Sequence, residues 1–262
     1  MKPKNSALAG SPNQSVAKAL QILRVFTQQT PRLRLKDISQ RTGINQATAS
    51  RLLATMREQG FILQEGGYYC LGWQEVLRME GVVLQSMSLR RLSMPYLEQL
   101  SLLLRKNVNL AVLDRTEVVY LYRAEGEEGS RGYYHAGMRR PAHCTALGKV
   151  LLCATPEQAE PMFEGVGPRR FTFSTITDRE AYMAELEKTA LQGYGTDMEE
   201  CIHGYNCVAV PILGLDGGVC AAISVSGPSN EFGLDEMQRL LPHLRNTAQK
   251  ILLQLGSGED CV

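Results

Sequence analysis

The sequence predicts an α+β chain in two parts: a small helical head ending in a β-hairpin, and a larger body around an antiparallel sheet, joined by a linker helix. Three observations carry this. Charge divides near residue 71. Within residues 15–72, three short amphipathic helices precede two short strands around a glycine turn. Beyond residue 89, β-hairpins and helices are interspersed. The expected organisation is a disordered lead-in over 1–14, a head over 15–72, a linker helix over 73–88 and a body over 89–256.

The net charge of +1 conceals an asymmetry. Residues 1–71 hold 10 Lys/Arg and 3 Asp/Glu, a net of +7; residues 72–262 hold 18 and 24, a net of −6. A basic block on an acidic body is the pattern of a nucleic-acid-binding head on a body that avoids nucleic acid. An accidental basic face would give the same count. Apolar content of 44% and charged content of 21% are ordinary soluble values. The run Ala146–Ala154 is interrupted by Lys149 and falls far short of a bilayer span, so no membrane is expected. The polar N-terminus lacks the apolar stretch of a secretory leader. The seven cysteines are odd in number and form no CxxC, which suits reduced thiols in the cytoplasm.

The head begins with Ser15, read as the cap of a helix whose apolar face is Val16, Ala19, Leu20, Leu23 and Phe26. Pro31 and the Arg32–Arg34 stretch break it. A second helix runs from Leu35, with Ile38 inward, to the tight turn at Gly43. Asn45 suits the cap of a third helix over Gln46–Gln59. There Ala49, Leu52, Leu53 and Met56 share one face, and Ala47, Thr48, Ser50, Arg51 and Thr55 lie opposite. Small, hydroxylated and cationic residues are what a major-groove helix needs: close approach, phosphate contacts and a fork for a guanine edge. Helix, glycine turn, helix is the helix-turn-helix arrangement. A plain three-helix core has the same period; the +7 block favours DNA. After Gly60, FILQ-EGG-YYCLG reads as strand, turn, strand, the wing of a winged helix-turn-helix. Glu65 in its turn disfavours phosphate contact. The candidate DNA-contacting residues are Arg34, Gln46, Ala47, Thr48, Ser50, Arg51 and Thr55.

From Trp73 to Lys106 the spacing is helical twice, with Pro95 marking a kink or a start. Such a stretch suits dimer contacts or an intradomain helix. VNLAVLD and EVVYLYRAE form a hairpin around Arg115–Thr116, and NCVAVPIL and GGVCAAISVSG a second around Asp216–Gly217–Gly218. Residues 145–154, 156–163, 178–192 and 235–255 are helical. In AAISVSG, Ser224 and Ser226 share one strand face, and Ile223 and Val225 the other. Hydroxyls among apolar neighbours need partners, either backbone or a polar ligand. Thr145 suits a helix cap, and the N–H groups of Ala146, Leu147 and Gly148 would then seat a carboxylate.

The runs SVAKALQILRVF, TGINQATASRLLATMREQGF, YYCLG, HCTALGKVLL, GYGTDMEE…CVAVPI and AAISVSGP, in this order over residues 15–255, resemble the IclR-type transcriptional regulators. The resemblance implies a winged helix-turn-helix head, a linker helix and a GAF-like effector domain. It implies a repressor or activator of a catabolic operon, homodimeric or tetrameric, on a palindromic double-stranded DNA operator. It places effector contacts at Gly132, Ala146, Leu147, Asp197, Tyr205, Cys207, Ser224 and Ser226, for a small organic acid. No cofactor and no metal are implied. The family's hydroxyl pair at the head of the recognition helix is Ala47–Thr48 here, one phosphate-reaching hydroxyl fewer. Tyr133, Tyr134 and His135 would line the same cavity and tilt the effector toward an aromatic or hydroxylated acid.

Two rivals stand beside this reading. His143–Cys144 or the cluster Cys201, His203 and Cys207 could serve a thiol enzyme or a zinc site, although the spacing lacks paired cysteines. Alternatively, the basic head could dock an acidic protein.

Overall fold

The computed structural model describes residues 13–27, 29–126, 135–214 and 216–256. Contacts divide the chain between Ser86 and Met87 into two units, each with its own core.

The first unit runs α1 (Gln14–Leu23), α2 (Leu35–Thr42), α3 (Gln46–Glu58), β1 (Ile62–Glu65), β2 (Tyr68–Leu71) and α4 (Trp73–Ser86). Helix α1 starts one residue before Ser15. Asn13 is the cap, its Oδ1 accepting the N–H groups of Ser15 at 3.0 Å and Val16 at 3.2 Å. The expected inward face of α1 is only partly buried. Ile22 and Phe26 enter the core, whereas Val16 is 55% and Leu20 51% exposed. The core of so small a unit covers only a narrow stripe of α1. Helix α2 ends on Gly43 at φ 70°, a left-handed position that glycine takes without strain. Asn45 Oδ1 then accepts the Thr48 N–H at 2.9 Å and starts α3. Ala49, Leu53 and Met56 of α3 pack with Ile22, Ile38 and Ile62. Strands β1 and β2 pair antiparallel from Ile62↔Leu71 to Glu65↔Tyr68. Gly66 and Gly67 turn between them, both at positive φ, as a two-residue hairpin of matching twist requires.

The second unit runs α5 (Ser88–Leu104), β3 (Asn107–Asp114), β4 (Glu117–Ala124), β5 (Arg139–Pro141), α6 (Ala146–Leu152), α7 (Arg179–Gln192), β6 (Gly195–Met198), β7 (Tyr205–Leu213), β8 (Val219–Pro228) and α8 (Leu234–Gly256). Short 3₁₀ segments cover Ala142–Cys144 and Pro156–Phe163. Pro95 lies inside α5. The strands form one antiparallel sheet in the order β5-β4-β3-β8-β7-β6. The edge strands β5 and β6 were not anticipated, since three or four residues are too few to show a period of two.

The two sheet faces carry different side chains. Leu110, Val208, Ile223 and Val225 pack with Leu97 and Leu244 in one cluster. Ala111, Ala209 and Ala222 pack with Leu147, Val150 and Tyr182 in the other. Small residues on the second face let α6 approach closely and leave space beside it. Gly148 is part of that approach: a Cβ there would sit 2.1 Å from the Ala142 carbonyl oxygen.

Candidate functional site

The exposed face of α3 is the first candidate. Gln46, Ala47, Ser50, Arg51 and Thr55 are exposed, and Thr48 is half-buried above its own capped N–H. Thr55 donates its hydroxyl to the Arg51 carbonyl at 3.3 Å, while the Arg51 guanidinium makes no ion pair among the described residues. The face therefore offers a cation free to meet an anion. Arg34 is exposed at the start of α2, with its guanidinium 4.8 Å from the centre of the Tyr68 ring. Glu65 in the wing pairs with Arg32 at 3.2 Å, which offsets its repulsion of phosphate.

The second candidate is a cavity between α6 and the alanine-rich face of the sheet. Ala146 and Leu147 form one wall. Strand residues Cys207, Ser224 and Ser226 form another, with Asp197 and Tyr205 beside them. All seven of these were expected from sequence. The eighth, Gly132, lies outside the described residues with Tyr133 and Tyr134. His135 is exposed and is not among the residues lining this cavity. Six lining residues were not among the expected effector contacts: Asn109, Tyr120, Arg140, Thr145, Cys201 and Ile202. Asn109 was findable, since period two places it on the face of Ala111 as a polar residue in an apolar strand. Arg140 had no such signal, because β5 is too short.

The empty space is about 490 Å³, counted to include the open mouth. The cavity is a slender, partly open cleft. Its polar groups are held from behind. Lys149, fully buried, donates to Glu200 at 2.6 Å, to the Thr196 carbonyl at 2.8 Å and to Glu185 at 3.2 Å. This ties α6 to β6 and to the turn that follows it. Asp197 Oδ1 accepts the N–H groups of Glu200 at 2.7 Å and Cys201 at 3.3 Å. Thr175 donates its hydroxyl to the Glu200 carbonyl at 2.7 Å. Burial, then the nearby Glu200 charge, pushes the Asp197 carboxyl up to about 7. A carboxyl shifted by burial in a cleft makes Asp197 a candidate site residue, and a buried ion-pair network such as Lys149–Glu200 shifts carboxyls in the same way.

The expected carboxylate seat at the start of α6 is smaller than anticipated. Thr145 caps the helix, and its Oγ1 takes the Gly148 N–H at 3.1 Å. Only Ala146 and Leu147 remain, on a helix of seven residues whose dipole is correspondingly small. The thiols offer no metal cage. His203 is 92% exposed and pairs with Glu199 at 2.8 Å, away from the cavity lined by Cys201 and Cys207. Among the described residues no group of three His, Cys, Asp or Glu is arranged to hold an ion. Cys144 and Cys201 are free thiols, and a hydrogen bond donated by Cys144 to Cys201 raises the Cys144 thiol and lowers that of Cys201. His143 is lowered by burial, and its Nε2 bonds the Arg169 carbonyl at 2.9 Å.

A winged helix-turn-helix unit followed by an α+β unit with a small-ligand cleft defines a DNA-binding transcriptional regulator. Residues 15–66 match the IclR helix-turn-helix domain, and residues 81–253 match the C-terminal region of bacterial IclR transcriptional regulators. The chain belongs to the IclR family. It is 36% identical over 246 residues to the HTH-type transcriptional regulator XynR of Escherichia coli, covering 93% of this chain and 97% of that one. The crystal structure of the Thermotoga maritima IclR superposes with a TM-score of 0.67 at 26% identity, covering 92% of this chain and 98% of that one. An IclR homolog from Microbacterium hydrocarbonoxydans, solved as a complex with 4-hydroxybenzoate, gives a TM-score of 0.75 at 26% identity, covering 94% of this chain and all of that one.

Proposed function

We propose that this protein represses or activates a catabolic operon in the cytoplasm, and that a small organic acid in the cleft modulates its grip on a palindromic operator. The observation that carries this is the cleft itself, whose wall gathers polar side chains from β3, β4, β5, β6, the β6–β7 turn, β7 and β8, with Thr145 at the start of α6. The Microbacterium homolog holds an acid of the expected kind. Ala146, Leu147, Asp197, Tyr205, Cys207, Ser224 and Ser226 contact the effector, with Gly132 completing the set. In the head, Arg51 reads a base edge, Thr48, Ser50 and Thr55 reach phosphates, Ala47 permits close approach, and Gln46 and Arg34 flank them.

Homodimers, paired further into tetramers, match an operator with two half-sites. Trp73, Leu77, Met79 and Val82 of α4 are exposed apolar residues in the first unit and suit such a contact. No helix among the described residues is long and apolar enough to cross a membrane, which agrees with a cytoplasmic role. Catalysis is not part of the proposal. For the effector to act, it must bind the DNA-competent and the alternative states unequally.

The test is a gel shift on the DNA upstream of the protein's own gene, with and without 4-hydroxybenzoate and related acids. The expected result is a specific complex whose affinity changes with one acid and falls steeply with salt, because phosphate neutralisation releases counterions. Unchanged affinity at saturating concentrations of every acid contradicts the effector role.

A further inference from the structure

Strand β5 places two neighbouring arginines in opposite situations. Arg139 bonds to Asp114 and, at 3.0 Å, to Glu117, all on exposed surface. Arg140, one residue on, lines the cleft. Its Nε is buried and has no hydrogen-bond partner among the described residues. The carboxyl of the cleft does not answer it: no ion pair joins Asp197 to Arg140, and Asp197 Oδ1 is held by backbone N–H groups. Asn109, 5% exposed, supplies the complementary acceptor. Its Nδ2 donates to Ser224 Oγ at 3.2 Å, and its Oδ1 is buried without a donor. The two groups approach from different parts of the cleft, since Asn109 lies opposite Arg123 on β4 and Arg140 opposite Val118. Apolar surface from Leu147 and Ile202 completes the lining.

A buried donor or acceptor without a partner costs more than a hydrogen bond gains, so folded chains rarely leave two in one cavity unless something binds there. The guanidinium is a planar fork that fits a carboxylate, and it carries a full charge, which two N–H groups of a seven-residue helix do not. We infer that Arg140 seats the carboxylate of the effector and Asn109 Oδ1 accepts a hydrogen bond from its hydroxyl, so the effector is a hydroxylated monocarboxylic acid. The inference rests on the effector reading above and narrows it to a class and to two specificity-determining residues.

Iodoacetate and iodoacetamide test the anion seat without knowledge of the effector. Both alkylate thiols by displacing iodide, and they differ in a carboxylate against an amide. Full-length protein is treated with each, and mass spectrometry follows Cys201, which lines the cleft, and Cys70 of the wing as reference. Relative to Cys70, Cys201 prefers iodoacetate by about tenfold, the scale of a focused charge in a cleft. Arg140→Met abolishes the preference, and Arg140→Lys retains part of it. Equal ratios in wild type and Arg140→Met overturn the seat. Protection of Cys201 by 4-hydroxybenzoate exceeds that by benzoate, and Asn109→Leu removes the difference. Equal protection by the two acids in wild type overturns the hydroxyl assignment. If Cys201 prefers iodoacetate but no acid alters operator affinity, the effector reading fails and the anion seat stands. If an acid alters operator affinity equally in wild type and Arg140→Met, the seat fails and the effector reading stands.

Discussion

The head and the body solve opposite problems. The candidate DNA face is exposed, and six of its seven residues lie on one helix within ten positions. The candidate effector residues are brought together from strands and turns as far apart as Asn109 and Ser226. A surface that meets a long, highly charged partner needs side chains projecting from one rigid element. A cleft that encloses a small molecule needs walls from several elements, each held from behind. The head therefore depends on caps and on a narrow core, while the body depends on buried polar ties such as Lys149–Glu200.

This difference predicts where damage falls. The largest effect is expected from Lys149→Ala, which leaves Glu200 without its cation in a buried site and Glu185 with Lys188 alone. Loss of one partner from such a pair costs about 3–5 kcal/mol. Thermal unfolding of the body, followed by Tyr fluorescence, should register it, and a change below about 1 kcal/mol would remove the network from the account.

Next is the pH dependence of the body. The Asp197 carboxyl is raised from 3.8 to about 7 by burial and the Glu200 charge. Between these values the unfolded chain has released the proton and the folded chain retains it, so the stability this carboxyl contributes is full below about 3.8 and is lost as pH rises toward 7. The contribution is at most about 4 kcal/mol. Asp197→Asn should flatten the difference between pH 4 and pH 7 in urea titrations. An identical pH dependence in the two proteins would mean that Asp197 ionises normally.

The smallest effect belongs to the head. Asn45→Ala removes the oxygen that holds the Thr48 N–H at the start of α3. It should cost about 1 kcal/mol of head stability and leave the body transition in place. A shift of both transitions by equal amounts would break the comparison, since the two units would then unfold as one.

Legibility in the sequence followed the same division. In the head, α2, the Gly43 turn, Asn45, α3 and the glycine hairpin are local signals, and periods of 3.6 and 2 locate them within a residue or two. The exceptions were the start of α1, where Asn13 rather than Ser15 supplies the capping oxygen, and the exposure of Val16 and Leu20. Both depend on what the rest of the core can cover. In the body, the long strands and α8 were legible, and alternation correctly put Ser224 and Ser226 on one face. Of the cleft, pattern pointed only to the Ser224/Ser226 strand face and to the start of α6 at Ala146 and Leu147. The other expected members came through resemblance, and Arg140 was missed because only sheet pairing places a three-residue edge strand.

The central claim is that one helix face grips DNA while the cleft lies outside that contact. Fluorescence anisotropy with labelled DNA from upstream of the gene tests it directly, comparing wild type, Arg51→Ala and Ser224→Val without added acid. Arg51→Ala should lose about 1–3 kcal/mol of affinity and relax sequence preference, whereas Ser224→Val should match wild type. Equal affinity and preference for wild type and Arg51→Ala would contradict the assignment of α3 as the recognition helix.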